Sequence, residues 1–301
     1  MSPSGEQVTL EHGDYRVTVV EVGGGLRTLE HAGRAVLDGY PEDQMASAGR
    51  GALLVPWPNR LHGGTYTWDG VTGKVPIDEP DQQNANHGLA RWRSWTPTDR
   101  TDSSVTMRLL LRPQPAYPFA VSFAARYELG DDGLTVTMSA TNEGDRDAPY
   151  GCGAHPYLTV GTERVDEVVL QVPARSWLPT GPAQLPLGRE SVEDTPYDFR
   201  QPRAVGKLRM DHGFTDLERG ADGRAVVSLA APSGRRVELW ADEGFGYVQV
   251  FTGDPLPEGA RRRSMAVEPM TCPPDAFRSG EHVIRLTPGA TTSASWGIRA
   301  G

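Results

Sequence analysis

Apolar and polar residues alternate in segment after segment of this chain, and a period of two is the pattern of a half-buried β-strand. The clearest instance runs through Val121, Phe123, Ala125, Tyr127 and Leu129, breaks at Asp131-Asp132-Gly133, and resumes through Leu134, Val136, Met138 and Ala140. Two alternating runs around a short turn with a glycine predict a hairpin. The design recurs at Tyr15-Val17-Val19, at Tyr66 to Trp68 before Asp69-Gly70, and at Val105 to Leu111. It recurs again at Val226 to Leu229, before Ser233-Gly234 and Val237 to Trp240, and at Tyr247 to Val250. Outside short connectors no window carries the i, i+3, i+4, i+7 spacing of an amphipathic helix, so neither a bundle nor an α/β winding is expected. Gly23-Gly24-Gly25 lacks the strand and helix context of a dinucleotide fingerprint and reads as a turn.

An all-β chain of 301 residues must protect its sheet edges, by closing or by stacking two large sheets, and a concave face of such a fold is a natural small-molecule site. The 35 Gly and 25 Pro fit the many turns this requires. Residues 173–203, with Pro179, Pro182, Pro186 and Pro196, read as a long loop. Strand patterning resumes beyond it, so residues 1–301 are expected to form a single domain.

Several function classes fall away. The 39 acidic against 30 basic residues give a formal net charge of -9, a poor basis for holding a nucleic-acid backbone. Neither a leader-type N-terminus nor a membrane-length apolar window is present, so a soluble, cytoplasmic protein is expected, with no membrane partner. Cys152 and Cys272 are far apart in sequence, without CxxC spacing, and are expected to be reduced thiols.

Polar residues with catalytic potential gather in five short segments. In Pro56-Trp57-Pro58-Asn59-Arg60 the prolines stiffen the chain and present an Asn and an Arg. In Asn84-Ala85-Asn86-His87-Gly88, Gly88 would let the backbone approach a ligand closely. In Gly151-Cys152-Gly153-Ala154-His155-Pro156-Tyr157, small residues leave space around His155. Asp211-His212-Gly213-Phe214 is the fourth segment. In Val267-Glu268-Pro269-Met270 a strand delivers a carboxylate at its end, and its apolar frame is expected to raise the carboxyl pKa toward that of a general base. A metal site lacks HxH or HExxH pairs, which leaves only ligands contributed singly from distant strands, and no metal is expected. Glycoside hydrolysis by Glu268 and Asp211 would leave both histidines idle, and a serine triad has no G-x-S-x-G elbow.

Taken in order, these segments resemble the aldose 1-epimerase (mutarotase) family, through Pro58-Asn59-Arg60, Asn86-His87-Gly88, His155-Pro156-Tyr157, Asp211 to Phe214, and Val267-Glu268-Pro269 with Pro274-Asp275. The resemblance implies a large antiparallel β-sandwich, often called a supersandwich, with a sugar in an open cleft and no cofactor. It implies that Glu268 takes the proton of the anomeric hydroxyl, that His155 protonates the ring oxygen, and that His87 assists nearby. Arg60 and Asp211 would hold sugar hydroxyls. A histidine near its ordinary pKa and a carboxyl raised by burial would suit such acid–base work. Asn59 is placed with Arg60 at the sugar, and Trp57 and Tyr157 could offer the sugar an apolar face or belong to the core. His62, His212 and His282 are expected to be structural or exposed, with His212 placed to orient Asp211.

The segment around His155 departs from that of the better-known galactose mutarotases, which points to a divergent branch. The expected activity is interconversion of the α and β anomers of a free aldose, the partner being a small sugar and the protein a monomer or homodimer. Two alternatives stand beside it. A hexose-6-phosphate epimerase would need a basic cluster such as Arg60, Arg91 and Arg93, and a sugar-binding module would keep the cleft without turnover.

Overall fold

A computed structural model describes residues 2–301, and the regular structure of the described chain is almost entirely antiparallel strand, with one four-residue α-helix at Ala276–Ser279. The expected hairpin forms from strands Val121–Gly130 and Gly133–Asn142, with Gly133 supplying the positive φ at its turn. Along the first of these strands every odd-numbered residue from Val121 to Leu129 is buried, so one face packs on the core. The hairpin at Tyr66 likewise turns through Asp69 and Gly70, both at positive φ.

Two large sheets organise the molecule. A nine-stranded sheet has the long hairpin near its centre, flanked by Ser104–Leu111 on one side and Thr291–Ala300 on the other. An eight-stranded sheet runs through Ala174–Leu178, Asp211–Leu217, Tyr247–Phe251 and Met265–Met270 to the short strands Gly153–Ala154 and Leu53–Leu54. A four-stranded meander over Gln7–Ala35 and three separate strand pairs complete the set. Side chains of both large sheets, among them Phe123, Tyr127, Val248 and Val267, share one contiguous apolar cluster. Such burial supplies the main favourable term of folding.

Residues 173–203 are more ordered than their composition predicts. Ala174–Leu178 pairs with Asp211–Leu217 and with Glu190–Ser191, because Ala174 and Leu178 find a buried face in the sheet. The strand carrying Glu268 also differs from expectation, since it runs over Met265–Met270 with Pro269 inside it. Pro269 lacks a donor; it pairs with Val248 on one side, and on the other the ladder is interrupted between the Gly153–Met270 and Tyr157–Ala266 pairs. Cys152 and Cys272 are free and buried. They come close in space, for a Cβ added to Gly151 would lie 2.5 Å from the Cys272 Sγ, and burial pushes the Cys152 thiol up to about 12. No helix among the described residues is long and apolar enough to cross a membrane.

Candidate active site

The site lies on the eight-stranded sheet, where strand register sets its geometry. Gly153 faces Met270 and Tyr157 faces Ala266, so His155 falls opposite Glu268. On the other side Gln249 faces Glu268, and Gly213 faces Gln249. Directly opposed residues project from the same face, so His155, Glu268 and Gln249 form a row, with Asp211 two residues along from Gly213. The His155 Nε2 lies 3.3 Å from the Glu268 Oε1.

A second wall comes from the strand pair Arg60–His62 and Asn84–Asn86, in which Arg60 faces Asn86. The Arg60 guanidinium donates to Glu79 through Nε at 2.9 Å and to Asp211 through a terminal nitrogen at 3.4 Å. Burial opposes the Arg60 charge, but Asp211 and Glu79 outweigh it and the pKa is raised. Gln249 donates its amide to the other Asp211 oxygen at 2.7 Å, so Asp211 is held from two sides. The cleft between the walls encloses about 330 Å³, with Asn59, Arg60, His87, His155, Tyr157, Asp211 and Glu268 all in its lining. These are seven of the eight residues selected from the sequence.

Trp57 is the exception. It is 2% exposed, packs against Phe277 with ring centroids 5.3 Å apart, and does not line the cleft. Tyr157 does line the cleft, but its ring stacks on His155 at 5.0 Å, its hydroxyl donates to the Ala48 carbonyl at 2.9 Å, and the Arg50 guanidinium sits 4.4 Å from its centroid. It therefore backs the histidine. Gly88 brings its chain against Val55 instead of a ligand, since a Cβ there would lie 2.0 Å from the Val55 carbonyl oxygen. Pro274-Asp275 is structural as well, for the Asp275 carboxylate accepts from the His62 amide at 2.9 Å. His212 turns to the opposite face, where it packs on Trp177 and Tyr197. Among the three arginines considered for a phosphate, Arg60 and Arg91 line the cleft, Arg91 paired with Asp78, while Arg93 bonds Gln114 outside it, so the three do not gather in one cluster.

Burial dominates the electrostatics. It pushes the Glu268 carboxyl well above its usual range, and the nearby Asp211 charge adds to the rise while Arg60 opposes it. It drives His155 down to about 3, helped by the surrounding arginines, so this histidine is not near its ordinary pKa as the sequence led us to expect. His87 is likewise held well below its ordinary value by burial and by His155. The Asn59 amide donates to the His87 Nδ1 at 3.1 Å, so the neutral ring carries its hydrogen on Nε2. A Cβ on Gly49 would lie 2.7 Å from the His155 Cδ2, so the backbone there closes on the ring.

One ligand atom each from His87, His155 and Glu268 lie within 4.8 Å of one another, a spacing that could hold a metal ion. A ligating histidine donates its second nitrogen to an acceptor, whereas the second nitrogen of His87 is itself an acceptor. The His87 tautomer suits a hydrogen-bond donor better than a ligand.

Residues that the sequence reading passed over include Gln249, Asp78, Glu79 and the Ala48-Gly49 segment. Gln249 sits mid-strand and looks like any polar residue of an exposed face, although it is 2% exposed. The Asp78-Glu79 pair resembles an ordinary acidic loop, and only its contacts with Arg91 and Arg60 mark it.

Comparisons with known proteins bear on the fold and the family. The uncharacterized protein YihR of Escherichia coli (strain K12) is 35% identical over 291 residues, covering 96% of this chain and 91% of that protein. A GalM/aldose epimerase homologue from C. elegans superposes with a TM-score of 0.87 at 16% identity, covering 98% of each chain. The galactose 1-epimerase of Lactobacillus acidophilus gives a TM-score of 0.81 at 20% identity, covering 98% of this chain and 94% of that one. The structural likeness at such low identity marks the fold and a divergent sequence. The aldose 1-epimerase family profile matches residues 6–299, and the chain belongs to the aldose 1-epimerase family.

Proposed function

We propose that this protein interconverts the α and β anomers of a free, uncharged aldose by opening and reclosing the sugar ring, without a cofactor. The observation that carries this reading is the opposition of Glu268, on its strand, and His155, on the segment joining two short neighbouring strands, 3.3 Å apart and buried in a polar cleft.

Opening a hemiacetal removes a proton from the anomeric oxygen, breaks the bond between C1 and the ring oxygen, and adds a proton to the ring oxygen. A base and an acid must therefore act on two oxygens of one carbon. Ionised Glu268 takes the first proton and protonated His155 gives the second, leaving a neutral carboxyl and a neutral imidazole. That neutral pair is also the form that burial favours in the free protein. It is the form that closure needs, because Glu268 then returns a proton to the carbonyl oxygen while His155 takes one from the attacking hydroxyl. Rotation about C1–C2 before closure yields the other anomer. The two forms carry the same net charge, so one proton passed between neighbouring groups interconverts them. The Nε2–H of neutral His87 donates a hydrogen bond to the sugar, and Arg60 and Asp211, held by Glu79 and Gln249, bind its hydroxyls.

An uncharged sugar fits the charge balance of the cleft. Both lining arginines, Arg60 and Arg91, are already paired with Glu79, Asp211 or Asp78. Anomer exchange of glucose, galactose and glucose 6-phosphate, followed by polarimetry or NMR and corrected for the spontaneous rate, tests the reading. We expect faster exchange of a neutral hexose than of the phosphate, and a drop in kcat of at least ~100-fold in Glu268→Gln and in His155→Ala. Exchange that survives Glu268→Gln would remove the assigned base, and saturable sugar binding without exchange would make the protein a binding module.

A further inference from the structure

Asn86 lines the cleft, is 8% exposed, and has no role in the chemistry described above. Its backbone amide donates to the Asp78 Oδ1 at 2.7 Å, and its side-chain Nδ2 donates to the Glu79 Oε1 at 2.8 Å. The other Glu79 oxygen accepts from Arg60. An ionised carboxylate only accepts hydrogen bonds, so the amide nitrogen must be the atom facing Glu79. The Asn86 Oδ1 is thereby turned away from Glu79, and it is buried with no hydrogen-bond partner in the protein. Asn86 faces Arg60 across the strand pair, and opposed residues share a face, which puts the side chain on the cleft side. A buried acceptor without a donor is costly and is ordinarily completed by a partner.

We propose that the Asn86 Oδ1 is a specificity-determining acceptor that reads one hydroxyl of the bound sugar, with Asp78 and Glu79 as its positioning pair. This rests on the sugar-binding reading of the cleft and deepens it. Glu268 and His155 occupy the anomeric hydroxyl and the ring oxygen, so the hydroxyl read by Asn86 is one of those on the remaining carbons. Because Glu79 holds both Asn86 and Arg60, the acceptor and a cationic donor are fixed relative to each other before the sugar enters. A sugar that lacks this hydroxyl leaves the acceptor unpaired, and the site discriminates against it.

The experiment measures calorimetric binding and anomer exchange for the preferred neutral hexose and its singly deoxygenated analogues, in the wild-type protein, Asn86→Ala and the milder Asn86→Ser. Besides the analogues that lose a contact to Arg60 or Asp211, the wild type is expected to disfavour one by about tenfold, the worth of one neutral hydrogen bond. In Asn86→Ala the parent hexose weakens by a similar factor and its advantage over that analogue disappears. The proposal is overturned if the wild type treats every analogue as it treats the parent, or if its discrimination persists unchanged in a folded Asn86 variant. Binding that shows the Asn86-dependent pattern without exchange would sink the catalytic reading alone. A wild-type protein that binds no sugar would sink both.

Discussion

At the scale of single residues, the proposed reaction turns on one proton shared between Glu268 and His155. Adding a second proton requires the imidazole to charge beside a protonated carboxyl, which burial postpones until the pH falls to about 3. Removing the one proton leaves a bare carboxylate in the same buried place, and this is postponed to well above the usual carboxylate range. Activity should therefore fall as pH drops toward about 3, when His155 can no longer accept the proton of the attacking hydroxyl. It should fall again when the pH rises past the elevated Glu268 pKa, when no proton remains for the ring oxygen. Between these limits kcat, measured by anomer exchange, should be level through pH 6.5, where an isolated histidine would titrate. A limb with its midpoint near 6.5 would show that His155 titrates as an exposed imidazole and would remove the shared-proton description. These protonation states are beyond any reading of His155-Pro156 in sequence, because they follow from burial and from arginines distant in the chain.

At the scale of elements, the site depends on backbones that approach one another more closely than side chains allow. Gly88 has φ +76 and an isolated parallel bridge to Val55, and the next amide, Leu89, donates to the Val55 carbonyl at 2.8 Å. This junction fastens the His87 strand to the segment leading to Asn59 and Arg60. Gly88→Ala should lose at least ~2 kcal/mol of stability, from left-handed strain and backbone collision together, as measured by urea unfolding. Unchanged stability would show that the junction yields. The glycine itself was legible as a special position, but its partner was not, since no local pattern says that Val55 lies alongside. The same holds for Trp57, where two prolines marked a rigid segment without saying which way the ring would turn. The strand through Pro269 shows the converse, in which a residue that normally ends a strand is accommodated by an interruption of the neighbouring ladder.

At the scale of the whole molecule, the long excursion 173–203 gives part of its length to the sheet and none of it to the cleft lining. Its tip includes Leu187, which is 73% exposed, while the Ala183 carbonyl accepts from the Asn84 side chain at 2.9 Å. Removing residues 185–187 and joining the ends should leave the KM for the preferred sugar within about twofold, because the cleft walls come from Arg60, Asp78-Glu79, Asn86-His87 and the Pro255-Leu256 segment. A severalfold rise in KM would instead make this tip part of the substrate site.

The sequence by itself determined the all-β class and the hairpins, because period-two burial is a local property of adjacent residues and needs no knowledge of neighbours. The order of its polar segments also carried the resemblance to aldose 1-epimerases, and seven of the eight residues chosen from them line one cleft. Only the tertiary structure decided which of those residues touch. Strand register places Glu268 between His155 and Gln249, and loop packing brings Asp78 and Glu79 onto Arg91, Arg60 and Asn86. The physical reason is that contacts and desolvation are set by pairings between segments far apart in the chain. Alternation within a segment specifies which face is buried, but not which partner it meets there.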